Sequence, residues 1–76
     1  MTIAELRKEM GLSLEAFAAL LGLKSKGYAS DLENETKGTK PSVAVALELE
    51  RLSGGRIDAA EINEDVRRVR DAQVAA

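Results

Sequence analysis

Apolar residues recur along this chain at the three- and four-residue spacing of helices, and glycines separate the segments that carry them. The first segment begins at Thr2, which can cap a helix, and stops at Gly11. Its apolar positions share one side: Ile3, Leu6 and Met10. This pattern predicts an amphipathic helix. We expect Arg7 and Lys8 on its exposed side as solvated charges, with an auxiliary phosphate contact as the alternative.

The stretch after Gly11 predicts a second helix that ends in a tight turn. Ser13 has a hydroxyl that can accept from the unpaired amides of a helix start, and Glu15 suits the positive end of the helix dipole. Apolar residues follow at helical spacing: Leu14, Phe17, Ala18 and Leu21. Gly22 stands where this helix should stop, because glycine adopts the left-handed conformation without steric penalty.

A third helix is predicted from Ser25, another N-cap, to Asn34. Its inward positions are Leu32 and either Tyr28 or Ala29. The other positions face outward and are small or polar: Lys26, Gly27, Ser30, Asp31 and Asn34. An ordinary surface helix carries more glutamate and lysine, whereas this outer face suits a groove lined with hydrogen-bonding edges.

Five short motifs in this region carry a family resemblance. They are Phe17-Ala18, Leu21-Gly22-Leu23, Ser25-Lys26, Ser30-Asp31-Leu32-Glu33-Asn34 and Lys40-Pro41-Ser42. In this combination the chain resembles the Cro/C1-type (XRE-like) helix-turn-helix transcriptional regulators over about residues 2–53. The resemblance implies an all-α fold, a compact four- to five-helix bundle of the lambda-repressor-like DNA-binding type.

The chain departs from the family pattern at two places. The spacing from Gly22 to Leu32 is one residue longer than usual, so we infer a one-residue insertion around Lys24. Glu35 stands where the family often has glycine, and we therefore expect the third helix to end differently.

The resemblance implies a sequence-specific DNA-binding regulator, a repressor that places residues 25–34 in the major groove of a two-fold operator as a homodimer. The candidates for reading bases lie in the third helix: Ser25, Lys26, Gly27, Tyr28, Ser30, Asp31 and Asn34. The candidates for the DNA backbone flank it: Ser13, Lys24, Lys37, Thr39, Lys40 and Ser42. A helix start such as that at Ser42 presents unpaired amides to phosphate.

Several of these positions have a second interpretation. Gly27 either allows close backbone approach to DNA or is simply tolerated near a helix start. Asp31 either accepts from a cytosine amino group or lies off the DNA and repels wrong registers. Glu33 is expected to satisfy the local helix end or a neighbouring basic side chain. Residues 35–40 form either a phosphate-binding loop or a solvated one.

Residues 42–53 predict the next helix, whose apolar positions cover most of its circumference: Val43, Val45, Ala46, Leu47, Leu49 and Leu52. Such a helix must be covered on most sides, so we expect a central pillar. Gly54-Gly55 breaks it. Asp58 and Glu61 have the spacing of a capping box. Asn63 offers a further cap, which would leave residues 59–62 as a single turn before a separate helix from Glu64.

The C-terminal segment carries an apolar stripe whose destination the sequence leaves open. Ile62, Val66 and Val69 align at helical spacing. They either dock on their own domain or, together with Ile57, form a dimer interface, and the arginines opposite them are a third option as a DNA-touching arm. We predict a DNA-binding domain over residues 1–57 and a helical segment over residues 58–76 with a frayed end from residue 71.

The composition excludes several classes of function. The 76 residues provide for one small domain and contain no cysteine and no histidine. Disulfide frameworks, thiolate nucleophiles, histidine catalysis and cysteine or histidine metal sites are therefore excluded. We expect no enzymatic activity, no cofactor and no bound metal, because the carboxylates are better explained as helix-start charges and no phosphate-binding glycine loop is visible.

The net charge of −2 is unusual for a DNA-binding protein, but its distribution is informative. Residues 1–40 hold 6 basic and 6 acidic side chains, whereas residues 41–76 hold 5 and 7. The acidic surplus thus lies outside the proposed reading helix, and screening acts over about 8 Å. An interaction module that binds another protein, such as an antitoxin or phage-type accessory protein, is the alternative function.

The expected partners are double-stranded DNA, a second copy of the chain and, under the alternative, another protein. No apolar run approaches the length of a signal sequence or membrane helix, so we expect no membrane contact. We also expect no small-molecule substrate. The expected location is the cytoplasm, for a bacterial or phage-encoded protein that associates with the nucleoid when bound.

Overall fold

The computed structural model describes residues 1–75, and these residues are helical with no strand. The α-helices are α1 Ile3–Glu9, α2 Leu14–Leu20, α3 Lys26–Glu33, α4 Val43–Leu52, α5 Ala59–Ile62 and α6 Glu64–Ala75, and a 3-10 turn spans Glu35–Lys37. The all-α prediction is confirmed. The described residues form six α-helices, one more than the largest bundle that the resemblance implies, because the single turn α5 precedes a separate helix α6.

The internal contacts divide the chain into two units. The first unit is Met1–Thr39, and the second begins at Lys40. The division predicted from the sequence lies later, between residues 57 and 58, and it stays a prediction. None of the helices among residues 1–75 combines the length and the apolar character needed to cross a membrane.

The first unit contains α1, α2 and α3, and each helix begins at a side-chain cap. Thr2 forms a reciprocal capping box with Glu5, which lowers the pKa of the Glu5 carboxyl through the backbone hydrogen bond at Thr2. Ser13 and Ser25 cap α2 and α3 as predicted. The buried apolar residues of the unit are Leu6, Phe17, Ala18, Leu21, Ala29 and Leu32. Of the two inward candidates in α3, Ala29 is buried and Tyr28 is exposed.

The turn between α2 and α3 depends on Gly22. Its φ of +71° lies in the left-handed region that side chains disfavour. The amide of Leu23 donates to the carbonyl of Ala18 at 2.8 Å, which closes the end of α2. The chain then passes through Lys24 to the cap at Ser25. This geometry sets where α3 starts, and with it which side chains α3 exposes.

The second unit is built on α4, which Ser42 caps as predicted. Val45, Ala46 and Leu49 of this helix are buried, whereas Val43 and Leu47 are exposed. The helix is followed by Gly54-Gly55, and the nearby Ser53 is buried and hydrogen-bonded. Its hydroxyl donates to the carbonyl of Glu50 and accepts from the amide of Ile57.

The end of the chain confirms the predicted single turn and separate helix. Asn63 caps α6 by accepting from the amides of Asp65 and Val66, and its side chain donates to the carbonyl of Pro41 at 3.0 Å. Asp58 caps α5 through the amide of Ala60. Helix α6 continues to Ala75, beyond the point where the sequence predicts fraying, and residue 76 lies outside the described residues.

An arginine on α6 joins the three helices of the second unit. The guanidinium of Arg70 donates to both carboxylate oxygens of Glu50, each at 2.8 Å, and to Asp58 at 3.1 Å. Glu50 also accepts from the amide of Ala59 at 3.1 Å. These hydrogen bonds favour the charged carboxylate and lower the pKa of Glu50 to about 2.

Lowering the pH should weaken the hydrogen bonds between Arg70 and Glu50, and the substitution Glu50→Gln tests this. Because the folded-state pKa of Glu50 lies below its ordinary value of 4.5, its ionisation stabilises the fold at neutral pH. That contribution is lost as the pH falls from about 5 toward 2. We expect Glu50→Gln to have a lower Tm than wild type at pH 7, and the two Tm values to converge on acidification. A constant difference over this range, measured by circular dichroism, would contradict the assignment.

Candidate nucleic-acid interface

The outward face of α3 is small and polar, as the sequence predicts. Lys26, Gly27, Ser30 and Asn34 at its end are exposed, whereas Ala29 and Leu32 on the opposite side are buried. Tyr28, which is 37% exposed, borders the face. A helix with such a face can approach base edges closely, because few long side chains hold it away from a partner.

The starts of α2 and α3 lie beside one another and enclose an open cleft. Its lining includes Ser13, Glu15, Lys26, Gly27 and Ser30. The cap hydroxyls of Ser13 and Ser25 accept hydrogen bonds from backbone amides at 3.1 and 3.3 Å, which does not use their own protons. Both hydroxyls can therefore still donate to a phosphate oxygen.

Two lysines supply positive charge near these helix starts. Lys24 lies in the turn before α3 and Lys26 is its first residue, and both are exposed. Within residues 1–75 neither makes an ion pair of 4.0 Å or less with a described carboxylate. Contact with DNA would thus not require either lysine to give up a partner of this kind.

Gly27 has no conformational reason to be glycine. It is not among the residues with positive φ, and a Cβ added there would meet only the Ser25 hydroxyl, at an ordinary 3.7 Å. Glycine at this position therefore relieves neither backbone strain nor crowding. Open space at Gly27 agrees with both interpretations of this glycine, and the close approach of a partner stays a prediction.

A bidentate ion pair links the end of α3 to α1. Arg7 donates from Nε to Glu33 at 2.7 Å and from Nη2 at 3.2 Å, and its Nη1 donates to the carbonyl of Leu12 at 3.0 Å. The side chains are only 19% and 12% exposed, and the hydrogen bonds to Glu33 raise the pKa of Arg7. The expectation that Glu33 pairs with a basic side chain is confirmed, whereas the placement of Arg7 as a solvated charge is wrong.

The sequence gives no local signal for this pair because its members are 26 residues apart. Their distance depends on how α1 and α3 pack, and helical periodicity does not report that. Arg7 and Glu33 fix the position of α3, and Arg7 also lines the cleft at the starts of α2 and α3. The sequence alone does not reveal that these two residues hold α3 in place.

A second, exposed ion pair joins α3 to the turn that follows it. Asp31 lies 3.5 Å from the ammonium of Lys37. Asn34 caps the 3-10 turn, since its side-chain oxygen accepts from the amide of Thr36 at 3.1 Å and from its hydroxyl at 2.7 Å. The turn ends at Gly38 with φ +67°. Helix α3 thus ends without a glycine at residue 35, in the different manner that the sequence predicts.

The remaining DNA-backbone candidates lie at or beyond the end of the first unit. Thr39 is half-buried and belongs to that unit, whereas Lys40 is exposed and belongs to the second. The Ser42 hydroxyl accepts from the amide of Val45 and caps α4. Their contact with phosphate stays a prediction.

The dimer-interface candidates differ in how much surface they offer within a single chain. Ile57 and Val66 are buried and Ile62 is partly buried, whereas Val69 is 58% exposed. Val69 belongs to an apolar groove that we call the α4–α6 groove, lined by Val43, Leu47, Val66, Val69 and Gln73 among others. Among the described residues, no group of three or more acidic side chains is arranged to hold a metal ion.

Comparison with known proteins identifies a family. A family model described as helix-turn-helix matches residues 3–58, which is more than half of the chain. No curated protein and no solved structure matches the chain. The matched range includes the two capped helices, the Gly22 turn and the whole exposed face of α3.

Proposed function

The chain belongs to the Cro/C1-type helix-turn-helix family of DNA-binding regulators, and we propose that it is a sequence-specific repressor whose helix α3 enters the major groove. The observation that carries the proposal is the exposed face of α3, which combines a lysine, a glycine without a conformational reason and small polar side chains. Repression follows from occupancy, because a protein seated in the major groove at a promoter excludes other proteins from it.

The proposed base contacts centre on Lys26, with Ser25, Gly27 and Ser30 near bases or adjoining phosphates. A lysine can donate to the O6 and N7 acceptors of guanine in the major groove. Ser13 and Lys24 are the proposed backbone contacts of the same unit. Phosphate contacts would set the orientation of the protein on DNA, and the contacts of α3 would select the sequence.

A single copy offers few base contacts, so we propose that two copies bind one two-fold operator. In helix-turn-helix dimers, half-sites lie about 34 Å apart, one turn of the duplex. Pairing two half-sites multiplies the discrimination that each α3 provides. The protein would act at the nucleoid, in the cytoplasm of a bacterial cell, and we propose no catalytic role.

Selection from a random duplex pool tests this function. The experiment is done at about 0.15 M salt, where attraction to phosphate alone is weakened. We expect enrichment of a short two-fold repeat whose half-sites are one helical turn apart. Recovery of a motif without two-fold symmetry would support base reading by α3 and contradict binding as a dimer. Recovery of no motif would contradict the proposal that the protein binds DNA sequence-specifically.

The α4–α6 groove is the surface we propose for pairing of two copies. Its exposed apolar side chains, Val43, Leu47 and Val69, belong to two neighbouring helices of the second unit. Burial of such side chains is favourable at roughly 25 cal/mol per Å². The surface is small, so we expect a weak dimer in solution that DNA stabilises.

Val69→Glu should disrupt this pairing without unfolding the chain. Val69 is 58% exposed, and glutamate forms helices at least as well as valine. We expect the dimer dissociation constant to rise at least about tenfold, because a charge without a partner would be buried in an apolar contact. Analytical ultracentrifugation measures this change. Leu20→Glu, at a 44% exposed position on α2, is the matched control and should leave association unchanged.

The same groove favours a second candidate function, an interaction module that binds another protein. Its apolar lining, with Asp65 and Arg70 at the margin, would accept an apolar helix from a partner. Under this alternative the purified chain stays monomeric at concentrations at which the repressor would dimerise, and the random pool yields no motif. These two results together would favour the alternative.

A further inference from the structure

The recognition helix carries a negative charge on its exposed side, and that charge pairs with a cation of the following turn. Helix α3 is described in full and contains two acidic residues, Asp31 and Glu33. Glu33 is turned toward Arg7 and is 12% exposed, whereas the Asp31 side chain is 40% exposed. Lys26 is the single cation of α3, so Asp31 adds one negative charge to a helix whose exposed side otherwise carries one positive charge.

The position of Lys37 beside Asp31 follows from a well-defined turn. The cap at Asn34 holds Thr36, and the amide of Lys37 donates to the carbonyl of Asn34 at 3.1 Å. This geometry brings the ammonium of Lys37 to 3.5 Å from the carboxylate of Asp31 while leaving its side chain 57% exposed. Such an exposed pair adds little to the stability of the fold. The positions of its two charges matter instead for how the protein meets DNA.

An ionised carboxylate only accepts hydrogen bonds, and DNA presents mostly acceptors to it. Phosphates are anionic, and guanine N7 and O6, adenine N7 and thymine O4 are acceptors in the major groove. Asp31 therefore meets repulsion in most registers of the helix on DNA. It also neutralises Lys37, a side chain that would otherwise attract phosphate irrespective of sequence.

We propose that Asp31 is a specificity-determining residue that suppresses sequence-independent binding by pairing with Lys37 and by opposing acceptors in wrong registers. The inference rests on the proposed function. A regulator must find its operator among roughly 10⁶–10⁹ competing sites, so a penalty on non-specific complexes raises the fraction bound at the operator. In the operator complex α3 is held in one register, so the repulsion between Asp31 and DNA acceptors is smaller there than in non-specific complexes.

The test compares Asp31→Asn with wild type on a random duplex and on the selected operator over a series of salt concentrations. We expect the affinity for the random duplex to rise about three- to tenfold at 0.1 M salt. The slope of log K against log salt should steepen by about 0.9 for each bound copy, the value of one added phosphate contact. The affinity for the operator should rise by a smaller factor, so the specificity ratio falls.

A matched control separates this local effect from the change in net charge. Asp71→Asn on α6 removes the same charge and also releases a cation, because Asp71 lies 3.9 Å from Arg67 in an exposed pair. We expect it to change neither the random-duplex affinity nor the salt slope by a comparable amount. Equal effects of the two variants would overturn the proposal, since net charge would then account for both.

The role of Lys37 is tested by repeating the substitution in a Lys37→Gln background. The gain from Asp31→Asn should fall by at least half there, and the change in salt slope should disappear. A gain that persists in full would overturn the pairing with Lys37. Loss of operator affinity without any gain on the random duplex would overturn the proposal as a whole, because Asp31 would then read a base.

The experiment also distinguishes failure of this inference from failure of the proposed function. If wild type binds random duplex at low salt and Asp31→Asn binds it no better, the inference fails and DNA binding stands. If neither protein binds any duplex at about 0.05 M salt, the proposed function fails, and this inference fails with it. Circular dichroism spectra of all variants confirm that each remains folded.

Discussion

Phe17→Ala is expected to lower the free energy of unfolding by about 3–5 kcal/mol, the largest effect of any substitution proposed for this chain. Phe17 is the only phenylalanine, and its side chain is 0% exposed within α2. Natural domains are stable by about 5–15 kcal/mol, so the variant would lose a large part of its stability and, with it, the framework that supports α3. Urea denaturation followed by circular dichroism measures the loss.

Two further substitutions show whether this loss comes from the core. Leu20→Ala, on the same helix but 44% exposed, should cost less than about 1 kcal/mol. Phe17→Leu keeps most of the buried volume and should cost less than Phe17→Ala. If Leu20→Ala destabilised the protein as much as Phe17→Ala, the described packing of α2 would be wrong.

Lys26→Ala is expected to weaken operator binding by about 1–3 kcal/mol per half-site and to relax the preference at one base position. The physical reason is the loss of a cationic donor at the start of α3, where the groove-facing side chains are otherwise small. Repeating the random-pool selection with the variant measures both effects, because one column of the binding motif should lose its preference for guanine.

Lys24→Ala is the matched control for Lys26→Ala. It removes the same charge two residues earlier, in the turn rather than on the helix. We expect it to weaken binding to all sequences alike and to reduce the salt slope by about one unit for each bound copy, as for a phosphate contact. If Lys26→Ala behaves in the same uniform way, Lys26 contacts the backbone and α3 reads bases through other residues.

The parts of the fold that the sequence predicts well are those with local causes. Ser13, Ser25 and Ser42 each cap the helix that they precede, because a cap involves amides within three residues. Asn63 likewise separates α5 from α6 as its position predicts. Gly22 ends the turn after α2 for an equally local reason, its positive φ.

The parts that the sequence predicts poorly depend on contacts between distant residues. Arg7 looks like a solvated surface charge on its own helix, but the packing of α1 against α3 brings it to Glu33. Arg70 similarly looks like one of three arginines on the polar side of α6, yet it turns to Glu50 and Asp58. Periodicity assigns faces to a helix but not the partners of its charged side chains.

The candidate site shows the same division. The exposure of Lys26, Gly27 and Ser30 follows from their positions on α3, and the structure agrees with it. The pairing of Asp31 with Lys37 could not be predicted, since it depends on the 3-10 turn that Asn34 caps. That turn also engages the side-chain oxygen of Asn34, which accepts from both the amide and the hydroxyl of Thr36, so a base would have to compete with Thr36 for this oxygen.

Methylation interference on the selected duplex reports directly whether α3 lies in the major groove. Dimethyl sulfate methylates guanine at N7, in the major groove, and adenine at N3, in the minor groove. With α3 in the major groove, we expect interference at guanine N7 in two clusters about 10–10.5 base pairs apart, one for each α3. Interference confined to adenine N3, with guanine N7 methylation tolerated throughout, would contradict it.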